Sequence, residues 1–348
     1  MPSSTSSSND RLGPAPWLRI WFITVVVAVV LIGGWEGFWR LRGFVPKRND
    51  DVGWWAQERA KVYNGGTRSV VLLGSSRMQL GFDTRVFAEK TGIRPIQLAI
   101  DNDAGVDVLR DLAEDPKFHG TVICDLMEKY LVWLGQDSDS SQANQWLREY
   151  HASNLFGRFE WQARGLTQTT FAFRLPDLSL QNLAANLRQG KLPGSDPSYV
   201  TMNADRSKQA DYARTDLDRL RALHEADVQD EFVHLPQLSR TEFISRSKLL
   251  SDWVAAIEAR GGRVIFLRFP SSGVIWQIEN GRFPRPDFWD PLIKERKLAA
   301  IHFADHDTLK DFTCPDGTHL DYREAAPFTA AVTEIMLQRK LLPIEASR

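Results

Sequence analysis

SVVLLGSSR, residues 69–77, contains a continuous apolar run, SVVLLG at 69–74, that ends in a glycine and is followed by two serines and an arginine. A run of this length without polar interruption is typical of a strand buried on both faces of a parallel sheet. PIQLAI at 95–100 and TVICDL at 121–126 follow the same pattern, and VDVLRDLAED at 106–115 between them has helical spacing. Strands that alternate with helices predict an α/β fold with a doubly wound parallel sheet.

The alternation is interrupted by a polar segment and then resumes. Residues 136–238 are rich in Gln, Asn, Arg and Asp, and they predict a helical insertion that serves as a lid or a partner surface. The α/β domain is therefore expected to span residues 67–342, with this insertion inside it. Its later elements are predicted as a helix at 241–260, a strand at 263–269, a short strand at 301–305 and a closing helix at 322–342.

An apolar segment near the N-terminus, residues 17–39, is expected to be a single transmembrane helix. It carries no charge between Ile20 and Trp35, and about 20 residues suffice to cross the hydrocarbon core. Tryptophans bracket the run as an aromatic belt does. The absence of a small-residue cleavage pattern favours an anchor over a signal peptide, and the absence of a polar face disfavours a core helix. Residues 1–16 are predicted to be a disordered tail and residues 40–66 a polar connector.

The charges around this segment leave open which side of the membrane the α/β domain occupies. Four basic residues follow the apolar run and two precede it, which by the positive-inside rule favours a cytoplasmic domain. That rule is weak for a long domain beside a single anchor. The chemistry described below favours the extracytoplasmic, periplasmic side instead.

The composition argues against some functions and predicts no metal or cofactor. A net charge of −1 gives no basic footprint for nucleic acid. The two cysteines, Cys124 and Cys314, cannot supply a cysteine-rich zinc site, and no H-E-x-x-H pair occurs. Two buried thiols and a single bridge in an oxidising compartment both remain open for this pair. His302 and His306 are expected to be ordinary core or surface histidines.

A serine at the carboxyl end of the first predicted strand is the first candidate for chemistry. Gly74-Ser75-Ser76-Arg77 follows the strand directly, and ligands collect at the carboxyl ends of parallel strands. Ser76 in such a turn can present a hydroxyl nucleophile together with a backbone N–H that stabilises an oxyanion. A simple turn followed by a helix cap would produce the same motif.

The second candidate is the loop before the closing helix, CPDGTHL at 314–320. In an Asp-x-x-His turn, the carboxylate of Asp316 can hold one ring nitrogen of His319 and leave the other free for a serine proton. In the alternative interpretation, Asp316 forms the turn and His319 is a surface residue.

Taken together, a strand ending in G-S-S and a late D-x-x-H resemble the SGNH/GDSL hydrolase family. VLLGSSRMQLGFD and PDGTHLDYREAA are similar to its membrane-anchored, extracytoplasmic branch. That branch includes alginate-type O-acetyltransferases and the D-alanine transfer protein of teichoic acid modification. The resemblance covers roughly residues 68–130 and 245–340 and implies a three-layer α/β/α fold.

The resemblance implies a catalytic triad at the matching positions. Ser76 corresponds to the nucleophile, His319 to the general base, and Asp316 to the carboxylate that orients the base. Ser75 takes the place that an aspartate holds in the G-D-S version of the motif.

The oxyanion donors implied by the resemblance are less complete. The backbone N–H of Ser76 would be one donor, and Asn102 stands where the family has a glycine that supplies a second. The family's third block carries an asparagine side chain. At that point this chain has Asp125, Met127 and Glu128.

Two arginines are candidates for substrate binding. Arg77, beside the nucleophile, either binds a carboxylate or sugar-acid group or is solvated. Arg268, near the end of the strand RVIFLRF, either points into the cleft or forms a structural ion pair.

The expected activity is that of a membrane-anchored serine esterase or O-acyltransferase. Ser76 would attack an acyl ester, and water or a hydroxyl of a cell-envelope polysaccharide would then accept the acyl group. By analogy with the family, a membrane protein would supply the acyl donor. Two alternatives stay open: an inactive SGNH-like module that binds a glycan or a membrane partner, and a lipase or thioesterase if the domain is cytoplasmic.

Overall fold

A computed structural model describes residues 16–135, 141–194 and 198–343. The predicted disordered tail therefore lies outside the described residues, apart from Pro16, as does the start of the predicted insertion at 136–140. The strands are β1 Val70–Leu73, β2 Ile96–Gln97, β3 Thr121–Asp125, β4 Val200–Met202, β5 Lys208–Ala210, β6 Arg263–Arg268 and β7 Ala300–His302.

Helices make up most of the remaining regular structure. The helices are α1 Trp17–Leu41, α2 Val52–Ala60, α3 Ser76–Gly81, α4 Thr84–Thr91, α5 Val106–Glu114, α6 Glu128–Leu131, α7 Gln142–Ala152, α8 Leu155–Thr170, α9 Leu180–Arg188, α10 Leu217–His234, α11 Arg240–Arg246, α12 Lys248–Glu258, α13 Gly273–Arg282, α14 Trp289–Arg296 and α15 Tyr322–Gln338. The helix predicted at 241–260 is thus two helices, α11 and α12, which meet at Ser247.

Five strands form one parallel sheet in the order β2-β1-β3-β6-β7. This confirms the predicted α/β fold with a parallel sheet. From β1 the chain first adds β2 on one side and then crosses to add β3 on the other side. In open α/β sheets, the crevice at such a reversal collects ligands at the carboxyl ends of the two strands. Ser76 lies just after the carboxyl end of β1, and Asp125 is the last residue of β3. Both residues therefore lie at this crevice.

Both faces of this sheet are buried. Successive side chains along each strand point to opposite faces, so neighbouring residues belong to different apolar clusters. Val71 of β1 and Cys124 of β3 belong to one apolar cluster, which includes residues of α5 and α12. Leu72 and Cys314 belong to a second cluster, to which α15 contributes Phe328. The two cysteines therefore lie in different clusters, and both are free, buried thiols.

The N-terminal segment is helical, as predicted, and extends to Leu41. At 25 residues, α1 is long and apolar enough to cross a membrane, and its length and composition also suit a signal sequence. Near its C-terminal end, Trp39 packs in an apolar cluster with residues 172–183. Glu36 accepts hydrogen bonds from the backbone N–H groups of Ala172 and Phe173, at 2.8 and 3.3 Å.

The predicted insertion does not behave as one body. Among the described residues, 16–49 and 162–194 form one compact unit, and 50–135, 141–161 and 198–343 form a second. The middle of the insertion thus belongs with the N-terminal helix, whereas its later part belongs with the sheet.

The later part of the insertion also contains a hairpin that the sequence did not predict. β4 and β5 pair antiparallel, and each is only three residues long (Val-Thr-Met and Lys-Gln-Ala), too short to produce an apolar run. Arg206, in the turn, is fully buried and holds the hairpin against the sheet. It donates to Asp50 Oδ1 at 2.7 Å and to the backbone oxygens of Gln97 and Ala99 at 2.7 and 3.1 Å.

Candidate active site

The turn after β1 is held by two glycines that tolerate no side chain. A Cβ on Gly74 would lie 2.5 Å from Cβ of Asp125, and a Cβ on Gly105 would lie 2.5 Å from the backbone nitrogen of Gly74. Both glycines have positive φ, +138° and +69°. This close approach fixes the turn, so Ser75 caps α3 and Ser76 becomes its first residue.

The structure brings together the three residues expected to form a triad. Ser76 Oγ lies 2.7 Å from His319 Nε2, and His319 Nδ1 lies 2.8 Å from Asp316 Oδ2. The backbone N–H of His319 also donates to Asp316 Oδ1 at 2.7 Å. The carboxylate contact places the proton of the neutral imidazole on Nδ1, which leaves Nε2 to accept the serine proton. Ser76 and His319 are partly exposed, and Asp316 is buried.

The buried carboxylate is held in its charged form. Burial alone would raise the pKa of Asp316, but contacts with His224 and His319 keep that pKa well below its usual range. Thr318 adds its backbone N–H at 2.9 Å and its hydroxyl at 3.2 Å. The carboxylate is therefore charged at neutral pH and available to orient His319.

Two contacts of this carboxylate come from residues that the sequence did not indicate. The Tyr212 hydroxyl donates to Asp316 Oδ2 at 2.8 Å, and His224 Nδ1 lies 3.2 Å from the same oxygen. Arg221, on α10 with His224, donates to the backbone oxygen of Pro315 at 3.0 Å. The later part of the insertion thus covers the acid end of the triad. These residues lie about a hundred positions before Asp316 in polar sequence, and no motif marks them.

His224, Asp316 and His319 could also hold a metal ion, since one ligand atom from each lies within 4.8 Å of the others. Of the two histidines, His319 forms a hydrogen bond with Asp316, and His224 Nδ1 lies 3.2 Å from the same carboxylate oxygen.

His224 offers a pH-dependent test of the contact between α10 and the triad. The Asp316 carboxylate raises the pKa of His224 above its ordinary value of 6.5. A group whose pKa is raised on folding stabilises the folded state. This stabilisation is fully present at pH values below the unfolded-state pKa and is lost as the pH rises through the folded-state pKa. We expect His224→Gln to lower the free energy of unfolding at pH 5.5 by on the order of 1 kcal/mol or less, with no loss at pH 9.

The measurement is denaturant unfolding of the full chain in detergent at both pH values. His234→Gln is the matched control, because His234 lies on the same helix and is mostly exposed. Equal effects of the two substitutions at both pH values would contradict an ion pair between His224 and Asp316.

Asn102 keeps the backbone conformation that a glycine would adopt. Its φ is +55°, in the left-handed region that asparagine tolerates better than most residues. Among the described residues, no hydrogen-bond acceptor is recorded for the backbone N–H of Asn102 or of Ser76. Asn102 is exposed and lines a cavity of about 650 Å³ together with Tyr130 and Trp133. A second cavity, of about 870 Å³, is lined by Leu80, Thr84 and Lys208 among others. Ser76, Asp316 and His319 line neither of these two cavities.

Substitutions at Asn102 can separate a backbone donor from a side-chain donor. If the backbone N–H stabilises the oxyanion, Asn102→Gly should keep turnover within a few-fold of the native value, because glycine adopts the same φ. If the side-chain amide is the donor, turnover should fall by about 10²-fold or more. Kinetics with a soluble aryl ester distinguish these outcomes. Unchanged turnover in both Asn102→Gly and Asn102→Ala would exclude the side-chain amide of Asn102 as an oxyanion donor.

The position of the family's third-block asparagine is occupied by a supporting carboxylate. Asp125 closes β3, is fully buried, and accepts a hydrogen bond from Ser75 Oγ at 3.0 Å. Burial raises the pKa of Asp125, although the nearby guanidinium groups of Arg77 and Arg268 oppose that shift. Glu128 is buried beside Arg268, 3.5 Å from its Nε. Asp125 therefore supports the turn that carries Ser76, and neither Asp125 nor Glu128 offers an amide donor.

Arg77 and Arg268 are buried and share one carboxylate, so neither is open to a ligand. Arg77 Nη2 lies 2.6 Å from Glu279 Oε1, and Arg268 Nη2 lies 2.7 Å from Glu279 Oε2. Ser271 donates to the same carboxylate at 2.6 Å. Both arginines therefore form structural ion pairs and do not bind substrate. For Arg268 this was one of the two predicted alternatives, whereas for Arg77 it was not predicted.

His302 is a core residue. Its Nδ1 accepts a hydrogen bond from the backbone of Ala304 at 3.1 Å, and its ring packs on Trp289. Burial lowers the pKa of His302 to about 3, so the ring is neutral at physiological pH.

Comparison with known proteins adds no assignment. No family model matches the chain, and a search of curated proteins finds no matching sequence.

Proposed function

We propose that the chain is a serine esterase or O-acyltransferase of the SGNH hydrolase type. One observation carries this proposal: hydrogen-bond contacts of 2.7 and 2.8 Å join Ser76, His319 and Asp316. Ser76 follows β1 at the strand-order reversal, and the other two residues lie 240 or more positions later, just before α15. If Ser76 only began a helix, and Asp316 and His319 only formed a turn, the three side chains would not need to lie in hydrogen-bond contact.

The proposed reaction follows from the hydrogen bonds. As Ser76 Oγ attacks the acyl carbon, its proton passes to His319 Nε2, and Asp316 stabilises the imidazolium that forms. The imidazolium then gives that proton to the leaving alcohol, which leaves an ester on Ser76. Water or another hydroxyl attacks this acyl-enzyme, with His319 again accepting a proton. The backbone N–H of Ser76 and a donor at Asn102 would stabilise the oxyanion in each half-reaction.

Asn102 lines a cavity that Ser76, Asp316 and His319 do not line, and this neighbouring cavity favours a polar, ring-shaped acceptor. Its lining includes Trp133, which is 46% exposed, together with the polar side chains of Asn102, Asp107 and Arg110. An aromatic face with a few convergent polar groups suits a sugar better than a purely apolar chain. Transfer to a cell-envelope polysaccharide is therefore our preferred form of the activity.

Membrane attachment would bring this site close to an acyl donor. We take α1 as an anchor and place the sheet domain on the extracytoplasmic side, where a membrane protein would supply the acyl group; this step rests on analogy. A reporter enzyme that is active only outside the cytoplasm, fused to the C-terminus of the full chain, should be active. An inactive reporter on a stable fusion would reverse the orientation and favour a cytoplasmic thioesterase or lipase.

A binding module is the second candidate, and one observation favours it. Asp125 offers a carboxylate where an amide donor would complete the oxyanion hole, and loss of one such donor costs about 10²–10³ in rate. In this alternative, the domain binds a glycan or a membrane partner without turning over an ester.

Labelling with a fluorophosphonate probe distinguishes the two candidates. We expect the detergent-solubilised full chain to be labelled at Ser76, as located by mass spectrometry, because the probe reports a serine activated by a base. Labelling should be lost in His319→Ala, which removes that base. No labelling of the folded wild-type protein would favour the binding module, and labelling at another serine would overturn the assignment of the nucleophile.

A further inference from the structure

The segment 162–194 packs against the C-terminal end of the apolar helix α1, within one compact unit. Trp39 is 1% exposed there, buried against Leu175 and Leu183 among others. Arg40 donates to the backbone oxygen of Thr170 at 2.7 Å. Several contacts thus fix this segment to α1.

The contacts lie where α1 would leave the membrane. Between Arg19 and Glu36 the helix carries no charged residue, and Glu36 itself accepts hydrogen bonds from the segment. An apolar helix reaches the headgroup region where its charges begin. If α1 crosses a membrane, the segment 162–194 lies at the depth of the membrane surface.

One edge of α9 is apolar and uncovered. Leu180 and Leu187 are 84% and 62% exposed, and they share one edge because they lie seven residues apart. Leu183, between them, is buried in the cluster around Trp39. Leu166 and Leu192 add further exposed apolar surface. Several exposed leucines within one short segment suggest an interaction surface.

The charge of the segment suits anionic lipid. Residues 162–194 contain four basic residues and one acidic residue, although the whole chain has a net charge of −1. Arg174, Arg188 and Lys191 are exposed. Basic side chains beside exposed leucines are the pattern of helices that lie in the interface of a membrane.

We propose that the segment 162–194 is a membrane-surface element that lies in the interface of the bilayer crossed by α1. Leu180 and Leu187 enter the boundary between headgroups and acyl chains, and the basic side chains face lipid phosphates. The occupant of this surface is lipid, because the surface is continuous with the helix that enters the bilayer. The inference requires α1 to remain in the membrane and does not depend on ester chemistry.

Depth-sensitive labels on the full chain test this inference. Single cysteines at Leu180→Cys, Leu187→Cys and Ala185→Cys would carry nitroxides in protein reconstituted into vesicles of zwitterionic and anionic phospholipid. Ala185 is exposed and lies about 140° around the helix from Leu180, so it serves as the matched control. The two native cysteines are buried and should not compete for the label.

The expected result is that labels at the two leucine positions collide preferentially with oxygen, which concentrates in the bilayer. The label at Ala185 should collide preferentially with a water-soluble nickel chelate. Equal access of nickel to all three positions would overturn the proposal. So would protection of the leucine positions from both reagents, which would indicate a protein partner or a second copy of the chain.

Discussion

Replacing Ser76 by alanine is expected to lower the turnover of a soluble aryl ester by about 10⁴-fold or more while the protein stays folded. Removal of a triad nucleophile abolishes the acyl-enzyme route, and losses of about this size or larger are typical. The native hydroxyl is partly exposed, and its recorded side-chain hydrogen bond is to His319, so its loss leaves no buried group unpaired. Steady-state kinetics of the purified full chain in detergent measure the effect.

Ser75→Ala is the matched control for Ser76→Ala. Ser75 Oγ donates to Asp125 at 3.0 Å and accepts from the backbone N–H of Arg77, so its role is to hold the turn. We expect Ser75→Ala to lower stability by about 1–2 kcal/mol and turnover far less than Ser76→Ala does. Turnover that survives Ser76→Ala would exclude the proposed mechanism.

The sequence predicted the sheet because its strands are buried on both faces. Such strands have to be continuously apolar, and β1, β3 and β6 are found within the runs that were predicted as strands. The residues that meet in the candidate site were also visible, because Ser76 follows a strand directly and His319 and Asp316 share one short loop. In each case a local pattern was enough.

Contacts that join distant polar residues could not be predicted in the same way. Tyr212 and His224 reach Asp316 from a hairpin end and a helix with no fully buried residues, so hydropathy gave no signal. Arg77 pairs with Glu279, which lies 202 residues away in sequence. A charged residue beside a candidate nucleophile looks solvated or ligand-binding until its buried partner is known.

The division of the insertion shows the same limit. Its polar composition suggested one lid-like body, but residues 162–194 belong with α1 and residues 198–238 with the sheet. Trp39 and Phe44 pack against apolar residues between 172 and 183, which joins this part of the insertion to the end of α1. The two aromatic residues lie more than a hundred positions before the segment they contact. A chain truncated near residue 45 would lose this cluster, so the full chain is the appropriate material for experiments.

Glu279→Gln is expected to be the most destabilising polar substitution among those considered, lowering the free energy of unfolding by about 3 kcal/mol at pH 7. Glu279 pairs with both Arg77 and Arg268 in a buried site, and removal of one member of such a network leaves charge uncompensated. Burial alone would raise the pKa of Glu279, but the two arginines lower it to about 2. Denaturant unfolding of both proteins in detergent measures the difference.

The pH dependence of this difference identifies the carboxylate as its cause. A carboxyl group whose pKa is lowered on folding stabilises the folded state at pH values above its unfolded-state pKa, here 4.5. This stabilisation is lost as the pH falls through the folded-state pKa. The gap between wild type and Glu279→Gln should therefore be full at pH 7 and shrink from about pH 4.5 towards pH 2. Glu89→Gln is the control, since Glu89 forms only an exposed pair with Arg85 and should change stability little at any pH. Equal effects of both substitutions at pH 7 would contradict a stabilising role for the buried Glu279 pairs.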